Sequence, residues 1–432
     1  MAKKVELTSE KNYIGDGKYR SDDGLVYATM ENHQYAGVGC ADDARETLVC
    51  ADIPQEVVID GKEYLVLTTL YRGFAGCYAL EKVSFPPKMQ LIRNETFLNS
   101  GLKQSEEYND RKIKQVVLNG CLDLENKDSY LRVEQVEYDS MNTFLKTKAI
   151  IGGTVIVDGK EVVDLVIPEG ITDVRKEIMR GSTNLKSVTL PSSIKTISEN
   201  AFQWCKNLEK INLPEGLEII NSYAFDGCGA LKEISFPSTL RAIGYGALKE
   251  TAISEAIIPN GCKIYDGCFE GCKQLKTVVL PENMTEIPNN AFVDCSLETI
   301  DLPVTIKSIG GCAFANTNLT QICLPDGLQN IGYAAFKDTK LTEITLPSSL
   351  TLIDEGVFDG CDKLSNVYSK IPDPATCEVK SFELSATYHK TYGGEQVFYR
   401  QATLHIPNVK GLAPAYKKKS AWKKFSNIVA DL

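Results

Sequence analysis

Residues 208–230 read LEKINLPEGLEIINSYAFDGCGA, and the spacing of their apolar side chains decides the fold. With Leu208 as position 1, apolar residues fall at positions 1, 4, 6, 10, 13, 17, 18 and 21, and Pro214 stands at position 7. The template recurs on both sides. Leu185, Val188, Leu190, Pro191, Ile194, Ile197, Ala201, Phe202 and Cys205 fill it one repeat earlier. Leu231, Ile234, Phe236, Pro237, Leu240, Ile243 and Ala247 fill it one repeat later, with Leu248 where phenylalanine is expected. The marker prolines Pro168, Pro191, Pro214, Pro237, Pro259, Pro281, Pro303, Pro325 and Pro347 step by 23 and then 22 residues, so nine repeats keep register.

A period of about 20 to 29 residues with leucine-type columns is the signature of a leucine-rich repeat, whose coils cannot bury an apolar face alone and must stack. Positions 1, 4 and 6 point inward and 2, 3 and 5 outward, as alternation along a short strand requires. Proline then ends the strand. Parallel strands of successive coils, stacked about 4.8 Å apart, predict a curved sheet whose outward positions are the natural binding face. The predicted fold is therefore mainly β with short helical or 3-10 turns: a right-handed leucine-rich-repeat solenoid with a parallel concave sheet and terminal caps.

Two recurring columns read as core. Ala-Phe at positions 17 and 18 returns at Ala224-Phe225, Ala291-Phe292, Ala313-Phe314 and Ala335-Phe336, which close packing explains without a cofactor. Position 21 is Cys77, Cys205, Cys228, Cys272, Cys295 and Cys361 in some repeats and Ser182, Thr251, Thr317 and Thr339 in others. A small buried side chain is wanted there, and cysteine serves as a small hydrophobe; a disulfide along the column is the lesser alternative.

The string Leu-x-x-Val/Ile-x-Leu-Pro-x-x-Leu-x-x-Ile, closed by Ala-Phe-x-x-Cys, resembles the BspA-like (Treponema-type) leucine-rich repeat over residues 162–363. The likeness extends more loosely to Leu80, Val83, Phe85, Pro86, Met89, Ile92 and Phe97, and to Ile53-Pro54 with Phe74-Ala75-Gly76-Cys77. Hairpin-like leads into a repeat run stand at Ile59-Asp60-Gly61-Lys62-Glu63-Tyr64 and at Val157-Asp158-Gly159-Lys160-Glu161-Val162. A strand-plus-helix closing unit is similar to that of the same family: Ala402 to Pro407, Ala415-Tyr416-Lys417, Trp422 to Phe425 and Ile428-Val429. The resemblance implies a bacterial cell-surface protein that adheres to host matrix proteins, other cell-surface proteins or glycans.

Around this frame the sequence is expected to divide into an N-terminal cap (1–52), a first repeat run (53–101), an irregular insert or degenerate repeats (102–149), the main repeat run (150–371) and a C-terminal cap (372–432). A formal charge of −10 offers no overall basic field for phosphates or anionic lipid, so nucleic acid is excluded as a partner. No apolar run approaches the roughly 18 residues of a membrane span. Met1-Ala2-Lys3-Lys4 and the polar residues after it lack the core of an export signal. An extracellular or cell-surface site then presumes that a signal or lipid anchor has been removed, with the cytoplasm as the alternative. A monomer is expected.

The chain's three histidines, His33, His389 and His405, are widely separated and read as structural. Neither a His-Glu-x-x-His nor a Gly-x-Ser-x-Gly string is present. Cys262, Cys268 and Cys272 crowd one repeat, as thiolate ligands of zinc would, but each falls on a core column, so no metal and no cofactor is expected. Lys417 to Lys419, Lys423 and Lys424 read as the solvated face of a helix whose apolar side is Tyr416, Trp422 and Phe425.

The outward strand positions carry the remaining signal. Most are polar and of mixed sign, but Ile257 and Val279 are apolar neighbours at position 5, with Cys323 and Tyr368 further along that column. The candidate ligand-binding residues are Glu255, Ile257, Thr277, Val279, Thr299, Asp301, Gln321, Thr345 and Tyr368. Without a nucleophile, base and orienter at recognisable spacing, the reading is a non-enzymatic binding module. The alternative is an accessory module or scaffold of a surface enzyme system.

Overall fold

The structure is a computed structural model. It describes residues 4–30, 34–93, 96–97, 100, 113–118, 123–124, 131–147, 150–380, 402–425 and 427–432. His33, His389 and Cys121 lie outside the described residues. Three short α-helices appear among these, and the rest of the regular structure is strand, 3-10 helix and turn. No helix among the described residues is long and apolar enough to cross a membrane. The chain forms two compact units: Met1–Leu165 with Arg175–Lys186 and Trp204–Lys206, and Val166–Val174 with Ser187–Gln203 and Asn207–Leu432.

The first unit opens with an antiparallel meander of Tyr13–Gly15, Lys18–Arg20, Leu25–Thr29 and Tyr35–Cys40. Tyr35–Cys40 then pairs in parallel with Lys62–Thr69, which folds back on Glu56–Ile59. That hairpin turns through Asp60 (φ 48°) and Gly61 (φ 77°), the Asp-Gly chemistry of a tight two-residue turn. The second expected hairpin forms the same way, Ile150–Val157 on Lys160–Glu161 through Asp158 and Gly159.

Between them runs a six-stranded sheet in the order Lys160–Glu161, Ile150–Val157, Leu131–Tyr138, Ile113–Leu118, Lys82–Phe85, Cys50–Asp52. All pairs but the terminal hairpin are parallel. Val83, Val116, Val136 and Val155 stand opposite one another along it, and all four are buried. Part of the stretch between residues 102 and 149 thus supplies two stacked strands, although its spacing departs from the repeat period.

In the second unit each coil has three sides. The first is the outward segment at positions 3 to 5, which forms the expected strand in some coils only. The second is a two-residue ladder near position 13, running Asp173–Val174, Thr196–Ile197, Ile219–Ile220, Ala242–Ile243 and Lys263–Ile264, then Glu286–Ile287, Ser308–Ile309, Asn330–Ile331, Leu352–Ile353 and Glu378–Val379. The third is the Ala-Phe turn, where each coil's amide bonds the next coil's carbonyl: Phe225 to Ala247, Phe269 to Ala291, Phe292 to Ala313 and Phe314 to Ala335, at 2.8–3.1 Å. Along this side Phe269, Phe292, Phe314, Phe336 and Phe358 stack with centroids 5.6–5.8 Å apart and planes within 12°.

The second ladder breaks once, and its chemistry says where. In eight coils the residue after the ladder donates its N–H one coil back: Ser198 to Val174, Asn221 to Ile197, Gly244 to Ile220, Tyr265 to Ile243, Gly310 to Ile287, Gly332 to Ile309, Asp354 to Ile331 and Lys380 to Ile353. Pro288 holds that position after Glu286–Ile287, and proline has no N–H to give Ile264.

The first ladder forms as parallel pairs but is interrupted along the stack. Ser187–Thr189 pairs with Lys210–Asn212, Glu255–Ile257 with Thr277–Val279, and Glu343–Leu346, Asn366–Ser369, Thr403–Ile406 and Asn427–Ala430 pair in succession. The coils at 233–235, 299–301 and 321–323 carry no strand. There Phe236, Leu302 and Leu324 are only half-buried at position 6, as is Leu213 in the last paired coil before the first gap, whereas Leu190, Ile258, Leu280 and Leu346 are buried in coils that pair. Lone backbone bonds still bridge these gaps, such as Ser254 to Lys232 at 3.3 Å and Thr320 to Glu298 at 3.2 Å.

Candidate binding face

Parallel pairing fixes the heart of the candidate face. Glu255 stands opposite Thr277 and Ile257 opposite Val279, while Ala256 and Val278 between them point into the core. Alternation therefore leaves Ile257 56% and Val279 48% exposed, side by side and next to the Glu255–Thr277 pair. Thr299, Asp301 and Gln321 are exposed but lie in coils without a strand, so their backbones lack that ladder register. Thr345 and Tyr368 belong to a different ladder, where they are direct partners. The structure thus holds the nine candidates as an ordered group of four, an ordered pair, and three residues in irregular coils.

The pair gains a neighbour that the sequence reading left in the cap. His405 stands opposite Tyr368, its ring 4.6 Å away and tilted by 28°. Its Nδ1 lies 2.9 Å from the Asp431 carboxylate and its Nε2 3.2 Å from Asn366 Oδ1, so both ring nitrogens have partners. The signal was present: Thr403-Leu404-His405-Ile406-Pro407 repeats positions 3 to 7 of the template, which puts His405 in the outward column of Thr345 and Tyr368.

An open cleft of about 780 Å³ lies at the first gap in the ladder, lined by Glu209, Lys210, Asn212, Lys232, Glu233 and Ser235, with Ile211 and Ile234 at its floor. These are outward positions that looked unremarkable in sequence. Only the parting of two coils makes them walls.

The closing unit forms as the resemblance implies, with strand Thr403–Ile406, helix Leu412–Lys418 and a final strand Asn427–Ala430. Tyr416 and Trp422 are buried edge to face at 4.9 Å, and the Tyr416 hydroxyl donates to the Ile371 carbonyl at 2.7 Å. The flanking Lys417, Lys418, Lys419 and Lys423 are exposed.

The cysteines are shaped for packing. Cys205, Cys228, Cys272, Cys295 and Cys361 each donate the thiol to a carbonyl of the preceding coil, those of Met179, Phe202, Leu248, Phe269 and Phe336, at 2.9–3.1 Å. Burial pushes Cys262 up to about 12 and Cys272 up to about 11, and raises Cys268 as well. Thiols held neutral this way are poor metal ligands. Among the described residues no group of three or more His, Cys, Asp or Glu is placed to hold a metal ion.

Stacked parallel coils with an outward strand face define a leucine-rich-repeat solenoid. The chain belongs to the BspA-type leucine-rich repeat family, whose repeat region matches in six copies over residues 68–159, 150–275 and 253–365. A leucine-rich repeat protein from Bacteroides ovatus shares the fold at 21% identity and TM-score 0.55, over 97% of this chain and 100% of that one. A leucine rich cell surface protein from Faecalibacterium prausnitzii aligns at 20% identity and TM-score 0.48, over 82% of this chain and 95% of that one. A search of curated proteins returns no match.

Proposed function

We propose that this chain is a non-catalytic binding module of the bacterial cell surface that presents the outward face of its first ladder to a protein or glycan. The Ile257–Val279 pair carries the reading. Two β-branched side chains about half exposed on a rigid parallel ladder, rimmed by Glu255 and Thr277, form an apolar centre with a polar edge. The Thr345, Tyr368 and His405 group adds an aromatic contact surface on the other ladder. Family membership supports an interaction role.

The test uses the full chain against arrays of matrix proteins and glycans. Changing Ile257 and Val279 together to glutamate is expected to weaken the captured interaction at least about tenfold, or about 1.4 kcal/mol, with the melting temperature unchanged. Unaltered affinity in a folded double variant would remove this face from the proposal. Saturable turnover of generic ester or glycoside substrates by the unaltered chain would overturn the non-catalytic half.

A further inference from the structure

Cys77 occupies the cysteine column, yet its surroundings differ from those of the five members whose thiols bond a preceding coil's carbonyl. Its neighbour is a second thiol: Cys40, the last residue of strand Tyr35–Cys40, comes close enough for the two side chains to interact, while its thiol donates to the Ala41 carbonyl at 3.3 Å. Both are free thiols and both are buried, Cys40 at 6% exposure and Cys77 at 0%.

The backbone fixes this meeting. Cys40 N–H donates to the Gly73 carbonyl at 2.6 Å. A Cβ on Gly39 would fall 2.8 Å from both the Cα and the carbonyl oxygen of Gly73, so the two segments touch more closely than side chains allow. Arg45 ties the same pieces together, its Nη1 donating to the Ala75 carbonyl and its Nε lying 3.0 Å from Asp42.

We infer that Cys40 and Cys77 are a disulfide-forming pair that staples the N-terminal sheet to the first repeat turn when the protein folds in an oxidising compartment. The inference is independent of the proposed binding face. The Arg45 charge favours the thiolate form of either sulfur, and Cys40 is the less completely buried of the two, so Cys40 is the attacking thiolate. Cys40 attacks a sulfur of a small disulfide oxidant such as oxidised glutathione, forming a mixed disulfide and releasing one thiolate. Cys77 loses its proton to solvent and attacks the Cys40 sulfur, forming the Cys40–Cys77 bond and expelling the second thiolate. Two electrons pass to the oxidant, which leaves as two thiols. The bond closes a loop of nearly forty residues, long enough for a substantial entropic gain.

The full chain is refolded with oxidised glutathione, alkylated, digested with trypsin and analysed by mass spectrometry without reduction. The expected product is peptide 21–45 joined to peptide 73–82, each of which contains a single cysteine, and it disappears on reduction. Reduction should lower the melting temperature by several degrees, and Cys77→Ser should make it insensitive to reductant. Recovery of both peptides fully alkylated from the oxidised folded protein would overturn the inference, as would Cys40 linked to the exposed Cys50 instead. The peptide map of the unaltered chain decides the matter even if the variant fails to fold.

Discussion

At the scale of single residues, the turns concentrate the strain. Three residues after the position-17 side chain of each coil, the backbone is left-handed: Trp204 (φ 62°), Gly227 (72°), Glu250 (56°), Gly271 (71°), Asp294 (60°), Asn316 (57°), Asp338 (54°) and Gly360 (72°). Glycine enters that region freely and Asn or Asp tolerates it, whereas other side chains lose about 1–2 kcal/mol. Trp204 and Glu250 are the large side chains of this set; Trp204 packs under the Arg180 guanidinium at 4.6 Å, whereas Glu250 is exposed. Its amide bond to the Glu270 carbonyl at 2.8 Å survives any substitution but proline. Glu250→Gly should therefore stabilise the protein by about 0.5–1 kcal/mol, after the extra freedom of an unfolded glycine is subtracted. Denaturant unfolding measures it, and a loss of stability would refute the argument. This φ > 0 column could not be read from sequence, because only some of its positions are glycine or asparagine.

At the scale of elements, the phenylalanine column shows how coils share one core. Phe292 is fully buried between Phe269 at 5.7 Å and Phe314 at 5.6 Å. Phe292→Ala removes the ring from both stacks and should cost about 3–5 kcal/mol. Phe292→Leu imitates Leu248, which is 0% exposed in its own coil, and should cost about half as much or less. Equal losses in the two variants, read from denaturant midpoints, would show that volume rather than ring stacking is irrelevant at this site. The column itself was legible in sequence from Ala-Phe recurring at fixed spacing. The second ladder was half legible, since Ile197, Ile220, Ile243 and Ile264 mark its inward residue, but its pairing and its break at Pro288 emerge only when coils are set side by side.

At the scale of the whole molecule, the buried ionisable groups set a pH limit. Burial raises Cys205 from 9.0 to about 12, Cys361 to about 11 and Cys377 to about 12, and holds Tyr138 and Tyr416 at about 12. The unfolded chain gives up these thiol protons first, so above about pH 9 it binds fewer protons than the native state, and native stability falls as pH rises. The loss should grow between about pH 9 and 12, while stability near neutrality is unaffected by these groups. Denaturant midpoints at pH 7, 9 and 10.5 test this; a flat profile would contradict it. Because each coil touches only its neighbours, the loss should spread along the stack rather than arise at one point.

The sequence by itself determined the coil: a strand ended by proline, an alanine-phenylalanine turn, and a small residue at position 21, repeated because an apolar face on one coil can be buried only by the next. It also marked Ile257, Val279 and the closing unit, since alternation and the family pattern are local properties of the chain. Tertiary structure alone decided which outward residues share a surface. Glu255, Ile257, Thr277 and Val279 are joined by direct pairing, His405 is brought to Tyr368 from 37 residues away, and Thr299, Asp301 and Gln321 are left in unpaired coils. Cys40 likewise meets Cys77 across the fold. The physical reason is that periodicity reports which way a side chain points within its own coil, whereas contact between coils depends on how fully each neighbour's core side chain is inserted and on which backbone donors are free to bridge them.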